Sequence, residues 1–165
     1  MKKNPENILI LHNIRSVENV GAMFRTADGL GVTHIYLCGY TPAPIDRFGR
    51  PNAKIAKTAL GAQLSVMWTA VPDVCECAAE LKKEGVTVIA LEQDSRSVPL
   101  TSVRGPGLEQ KGWALVVGNE VLGVDPRALD LVDTIVHIPM RGAKESLNVS
   151  VAAGIALYAL TRTRT

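Results

Sequence analysis

Two hydrophobic periods alternate along this chain. Ile8 to Leu11 is an unbroken apolar run inside a segment, Asn7 to His12, that reads as a buried strand. Ser16 then supplies a helix cap. Val17, Val20, Phe24 and Ala27 recur at helical spacing on one inward face before Gly31 ends the helix. The alternation continues with an apolar run at His34 to Cys38, a helix at Ala53 to Leu60 and a strand at Ser65 to Thr69. A helix from Pro72 to Lys83, stopped by Gly85, leads into a strand at Val86 to Leu91. A polar stretch, Glu92 to Lys111, precedes a strand at Trp113 to Val117 and a short helix opened by Asp125 and Pro126. A strand at Thr134 to Ile138 and a last helix from Asn148 follow. About six strands with helices between them predict an α/β fold, a parallel sheet flanked by helices. One segment breaks the rhythm: Tyr40 to Pro51, rich in Pro, Gly and Arg, is too polar to be ordered by burial and long enough to be functional.

Composition narrows the class. The 165 residues are 47% hydrophobic and 21% charged, which suits a single compact domain over residues 1–165. The apolar runs Trp113 to Val117 and Val151 to Leu160 are too short or too interrupted to cross a bilayer, and no charged-then-apolar signal opens the chain. No membrane association and a cytoplasmic location are therefore expected. Cys38, Cys75 and Cys77 are odd in number and lack paired Cys/His spacing, so neither a disulfide framework nor a metal site is expected. A net charge of +2 is mild, and any nucleic-acid surface must come from local clustering.

Ligands of open parallel sheets sit beyond the carboxyl ends of the strands, here the segments after His12, Cys38, Leu91, Val117 and Ile138. The first of these lacks G-x-G-x-x-G, which argues against NAD and FAD. Gly142-Ala-Lys-Glu-Ser lacks the upstream glycine of a phosphate-binding loop. There is no G-x-S-x-G elbow, and the three histidines lie in or beside strands, where structural roles are commoner than catalytic ones. What remains is concentrated in Asn13 to Ala27, Val117 to Val124 and Ile138 to Ala153.

These three segments resemble the ordered motifs of the SpoU (TrmH) RNA ribose methyltransferases. Asn19, Gly21, Arg25, Thr26 and Ala27 match the first motif. Val117-Gly-Asn-Glu-Val-Leu-Gly-Val124 is similar to the second, and Ile138-Pro-Met-Arg-Gly-Ala-Lys-Glu-Ser-Leu-Asn-Val-Ser-Val-Ala-Ala153 to the third. The resemblance covers the family's catalytic domain and leaves no residues for an added RNA-binding domain. It implies the SPOUT fold, in which the C-terminal part of the sheet is threaded into a trefoil knot. Nothing in the hydrophobic periodicity signals threading, and knots are rare in proteins generally.

The activity implied is transfer of a methyl group from S-adenosyl-L-methionine to a ribose 2′-hydroxyl in tRNA or rRNA. By position, Leu91, Gly118, Ile138, Pro139, Met140, Leu147 and Val149 would line the cofactor. An adenosine face needs such an apolar wall. Arg25, Asn19, Glu120, Ser146 and Asn148 occupy the catalytic positions. Taken alone, Arg25 is an ordinary solvated arginine and Asn148 an ordinary helix cap; the motifs give them roles. A guanidinium keeps its proton far above neutral pH, so the role expected of Arg25 is to bind an RNA phosphate and to stabilise charge developing on the 2′-oxygen. Arg15, Arg25, Arg47, Arg50, Lys54 and Lys57 are the candidate RNA-binding cations. SPOUT enzymes are homodimers, which implies that Arg25 approaches the cofactor pocket from the partner subunit. Competing readings are a catalytically silent SPOUT-fold RNA-binding protein, a knotted base methyltransferase and a small-ligand α/β protein.

Overall fold

The computed structural model describes residues 6–103 and 111–162. Part of the expected polar stretch, 104–110, lies outside the described residues. Among the described residues, seven strands form one sheet: β1 (Glu6–His12), β2 (His34–Cys38), β3 (Met67–Val71), β4 (Thr87–Leu91), β5 (Val98–Pro99), β6 (Gly112–Val117) and β7 (Thr134–His137). Their spatial order is β3-β2-β1-β6-β4-β7-β5, and every pairing is parallel. The helices are α1 (Val17–Gly29), α2 (Ala53–Ala59), α3 (Ala62–Ser65), α4 (Val74–Lys83), α5 (Pro126–Leu131) and α6 (Val149–Thr161).

The unbroken apolar runs have a simple cause. Successive side chains of a strand point to opposite faces, and a parallel sheet is covered on both. Leu9 and Leu11 of β1 and Trp113, Leu115 and Val117 of β6 enter one core with Val20, Phe24 and Ala27 of α1 and Ala153, Ala156, Leu157 and Leu160 of α6. Ile8 and Ile10, with Ala114 and Val116, enter a second core with Ala78 and Leu81 of α4 and Ala128 of α5. Every residue of β6 is buried.

Helix ends follow the capping chemistry read from the chain. Ser16 Oγ accepts the Asn19 amide, Asp125 the Arg127 amide, and Asn148 the amides of Ser150 and Val151. Gly21 lets α2 approach α1, since a Cβ there would sit 2.6 Å from the Ile55 carbonyl oxygen. Three expectations need correction. The helix expected from Pro72 begins at Val74, because Asp73 is its cap and accepts the Cys75 amide. The strand expected at Ser65 to Thr69 begins two residues later, because the Val66 amide bonds the Ala62 carbonyl and completes α3. The polar stretch contains β5 and a 3-10 turn at Leu100–Ser102, elements too short to leave a periodic trace.

His12, at the end of β1, is buried, and its Nδ1 has no hydrogen-bond partner. Burial pushes its pKa below the ordinary value, outweighing the opposing fields of Asp125 and Asp73. His34 is lowered by burial as well. With the native pKa below that of the unfolded chain, the unfolded state binds more protons as pH falls through about 6.5, and stability is lost in that window. The urea midpoint should therefore be lower at about pH 5.5 than at about pH 7.5, with a smaller difference in His12→Gln. Equal midpoints at both pH values in the unaltered protein would refute this.

Candidate active site

The carboxyl ends of β4, β6 and β7 and the segment entering α6 enclose a cavity of about 350 Å³. Leu91, Val117, Ile138, Met140, Leu147, Val149 and Ala152 supply an apolar wall, and Glu92, Asn119, Glu120, Ser146 and Asn148 supply polar groups. This size and this balance suit a small organic ligand with one flat apolar moiety. Of the residues expected to line a cofactor, Pro139 alone is off the wall; it is exposed to solvent.

Gly118 lines the cavity for a reason different from keeping a side chain out of it. A Cβ at this position would lie 2.3–2.4 Å from backbone atoms of Gly123 and Val124, so glycine allows the 118–123 loop to fold back on itself. Asn119 completes that loop. It is buried, its Oδ1 accepts the amides of Val121 (2.9 Å) and Leu122 (2.8 Å), and its Nδ2 donates to the Asn13 carbonyl and the Tyr40 hydroxyl, both at 2.8 Å. The Glu92 carboxylate closes the far side by accepting the amides of Gln93 and Val124, each at 2.9 Å. Sequence reasoning passed over Asn119 and Glu92. Asn119 stands inside the second motif without a role of its own, and Glu92 is marked only as a polar residue directly beyond a strand end.

Three chain segments are tied by one line of hydrogen bonds. Glu120 accepts the backbone amides of Arg15 (2.9 Å) and Ser16 (3.1 Å) ahead of α1, and the Asn19 side-chain amide at 3.2 Å. Asn148 Nδ2 in turn donates to Asn19 Oδ1 at 3.2 Å, while Asn148 Oδ1 caps α6. Partial burial works against the Glu120 charge, but these amide donors more than offset it and hold the carboxyl below its ordinary pKa. The placement beside the first turn of α1 also suits the positive end of the helix. Asn19 is thus joined to the cavity through Glu120 and Asn148 without lining it.

Arg25 is elsewhere. It is exposed on α1, in a shallow groove with Ala22, Thr26, Lys57, Thr58 and Leu60, and does not reach the cavity wall within one chain. Lys54 and Lys57 are exposed on the neighbouring α2, and Arg15 is exposed in the segment entering α1. Arg47 and Arg50 lie on the loop after β2, their guanidinium carbons 4.7 and 5.1 Å from the centroid of the Phe48 ring.

A known protein family matches residues 6–158, nearly the whole chain and all three joined segments. The chain belongs to the SpoU rRNA Methylase family. Among the SpoU relatives, it is 34% identical over 163 residues to the 23S rRNA (guanosine-2′-O-)-methyltransferase RlmB of Ralstonia nicotianae, covering 98% of this chain and 61% of that protein. It is 35% identical over 160 residues to RlmB of Neisseria meningitidis serogroup B, covering 97% and 60%. The chain therefore spans about three fifths of the length of these curated relatives. Its fold superimposes on the A. aeolicus TrmH/SpoU tRNA modifying enzyme with a TM-score of 0.82 at 31% identity, covering 99% of this chain and 77% of the other.

Glu120→Ala removes the acceptor shared by the Arg15 and Ser16 amides. Hydrogen exchange at those two amides should accelerate by about tenfold, the modest effect appropriate to a solvent-accessible carboxylate, with Glu120→Gln in between. Unchanged exchange in Glu120→Ala would show that Glu120 does not hold the segment.

Proposed function

We infer that this protein transfers a methyl group from S-adenosyl-L-methionine to a ribose 2′-hydroxyl of RNA, in tRNA or rRNA, and that it does so as a homodimer. The observation that carries this reading is the Glu120–Asn19–Asn148 line, which brings the three family motifs together at the rim of one cavity. The names of the relatives favour ribose methylation, and 23S rRNA is the first substrate to try.

The cavity fits the cofactor in kind: an apolar wall for an adenine ring beside polar groups for its sugar and amino-acid ends. Leu91, Ile138, Met140, Leu147 and Val149, with the backbone at Gly118, would hold it. The bound cofactor supplies an electrophilic methyl group on a sulfonium centre. The protein's own task is to position the acceptor oxygen, because orientation alone is worth effective molarities of about 10⁵ M and above. Ser146 and Asn148 line the cavity and the Asn148 amide is itself held by Asn19, which supports a role for both in orienting the ribose. Arg25 binds an RNA phosphate and stabilises the charge that develops on the 2′-oxygen as its proton leaves.

Because Arg25 lies off the cavity in one chain, the reading places it against the cavity of the partner. The outer face of α6 supports such a dimer. Val151, Ile155 and Tyr158 are 51%, 42% and 55% exposed, and they border a groove with Ala22 and Thr26 of α1, one turn or less from Arg25. A two-fold axis through this face would pair α1 and α6 of one chain with those of the other. The sheet order supports the knotted form of the fold, since β6 and β7 are each inserted between strands made earlier. A cytoplasmic location belongs to the same reading; no described helix is long and apolar enough to cross a membrane.

Incubation with labelled S-adenosyl-L-methionine and either 23S rRNA or bulk tRNA, followed by digestion to nucleosides, should yield a 2′-O-methylated nucleoside. Label on a base, or none on either RNA, would overturn the reading. Arg25→Lys should lower turnover by about a hundredfold, because a point charge does not reproduce a bidentate guanidinium. Mixing Arg25→Ala with Asn148→Ala subunits should restore roughly a quarter of wild-type activity, since random exchange leaves one complete composite site in half of the dimers. No recovery on mixing would place Arg25 in the site of its own chain.

A further inference from the structure

The loop after β2 is ordered by its own polar groups. Ile45 and Pro51 form an antiparallel bridge, and the Asn52 amide bonds the Pro44 carbonyl at 2.8 Å. Within this clasp, Asp46 Oδ1 accepts the amides of Phe48 (2.8 Å) and Arg50 (2.9 Å), and Asp46 Oδ2 accepts Arg50 Nε at 2.8 Å. What this small frame displays is Phe48, a phenyl ring 66% exposed. A ring so open to water adds little to the core, yet the loop's hydrogen bonds hold its backbone in place. Two guanidinium groups lie against it. Arg50 is anchored to Asp46, whereas no carboxylate pairs with Arg47 among the described residues.

The roots of the loop belong to the site already described. The Tyr40 amide donates to Asn13 Oδ1 at 3.1 Å, and the Tyr40 hydroxyl accepts from Asn119 of the cavity loop. At the other root, Asn52 caps α2, the helix that carries Lys54 and Lys57 and packs on α1. An aromatic face with adjacent guanidinium groups, rooted between an active-site loop and a basic helix, matches the chemistry of single-stranded nucleic acid. Bases stack on aromatic or guanidinium planes while cations take the phosphates.

We propose that Phe48, with Arg47 and Arg50, is a stacking platform for an unpaired nucleobase of the substrate RNA, outside the cofactor cavity. On binding, the base takes the place of the Arg47 guanidinium on the ring or stacks upon it, and Arg47 turns to a phosphate. Arg50 stays with Asp46 and keeps the loop closed. The proposal rests on the RNA methyltransferase reading and extends it to how the substrate strand is gripped.

The test uses the full chain with oligoadenylate as an RNA probe and inorganic polyphosphate as a polyanion without bases. Phe48→Ala should weaken oligoadenylate binding by about tenfold to a hundredfold and leave polyphosphate binding unchanged. Phe48→Trp should bind oligoadenylate normally, with indole emission quenched beyond the background of Trp68 and Trp113. Arg47→Ala should weaken both probes and flatten the logarithmic salt dependence by about 0.7. Phe48 is exposed, and unchanged thermal midpoints will show that the variants are folded. Wild-type affinity of Phe48→Ala for oligoadenylate, equal losses for both probes, or polyphosphate binding by a wild-type protein that ignores oligoadenylate would each overturn the platform. Platform-dependent oligoadenylate binding without methyl transfer to any RNA would instead overturn the functional reading and leave the platform standing.

Discussion

The pairing of β6 between β1 and β4 is the constraint on which the rest of this structure depends. These partners are distant in sequence, and the strand that joins them is the most completely buried of the sheet. Closing such long loops costs chain entropy that only extensive burial offsets. The Trp113, Leu115 and Val117 side chains on one face and Ala114 and Val116 on the other supply it. The consequence is chemical: the loop leaving β6 opens between the ends of β1 and β4, so Asn119 reaches Asn13 and Tyr40 while Glu92 reaches Val124.

Electrostatics then divides the rim into two districts. Around the cavity, Asn119 and Asn148 are committed to neighbouring groups, and the Glu120 carboxylate is held by backbone amides of the neighbouring segment. On α1, on the segment entering it and on α2, the cations Arg25, Arg15, Lys54 and Lys57 stay exposed and available to a polyanion. A mild net charge of +2 conceals this arrangement because acidic residues offset it elsewhere, including Asp94, Asp125 and Asp130, which pair with Arg96 and Arg127. Steering of a polyanion depends on the local field more than on the total.

Most elements were legible because their signals are local. Ser16, Asp125 and Asn148 each cap the helix that follows them, and capping requires only residues two or three positions away. The boundary errors fell at the edges. β3 is an edge strand with weak burial, and β5 has two residues, so neither carries the periodicity of a central strand. For the site, the motifs identified Glu120, Ser146 and Asn148, all of which the fold brings to one cavity, and Pro139, which it leaves outside. The same resemblance marked Arg25, but its distance from the cavity is a property of helix placement that no spacing along the chain encodes.

By itself, then, the sequence determined the alternating α/β pattern, the helix starts and the three segments that resemble the family's motifs, because these depend on short-range periodicity and on residue type. Tertiary structure alone decided the strand order, the Glu120–Asn19–Asn148 line, the close turn that requires Gly118, and the separation of Arg25 from the cavity of its own chain. Each of these is a relation between groups held together by burial and hydrogen bonding across many residues, and such relations exist only once the entropy of bringing distant segments together has been overcome.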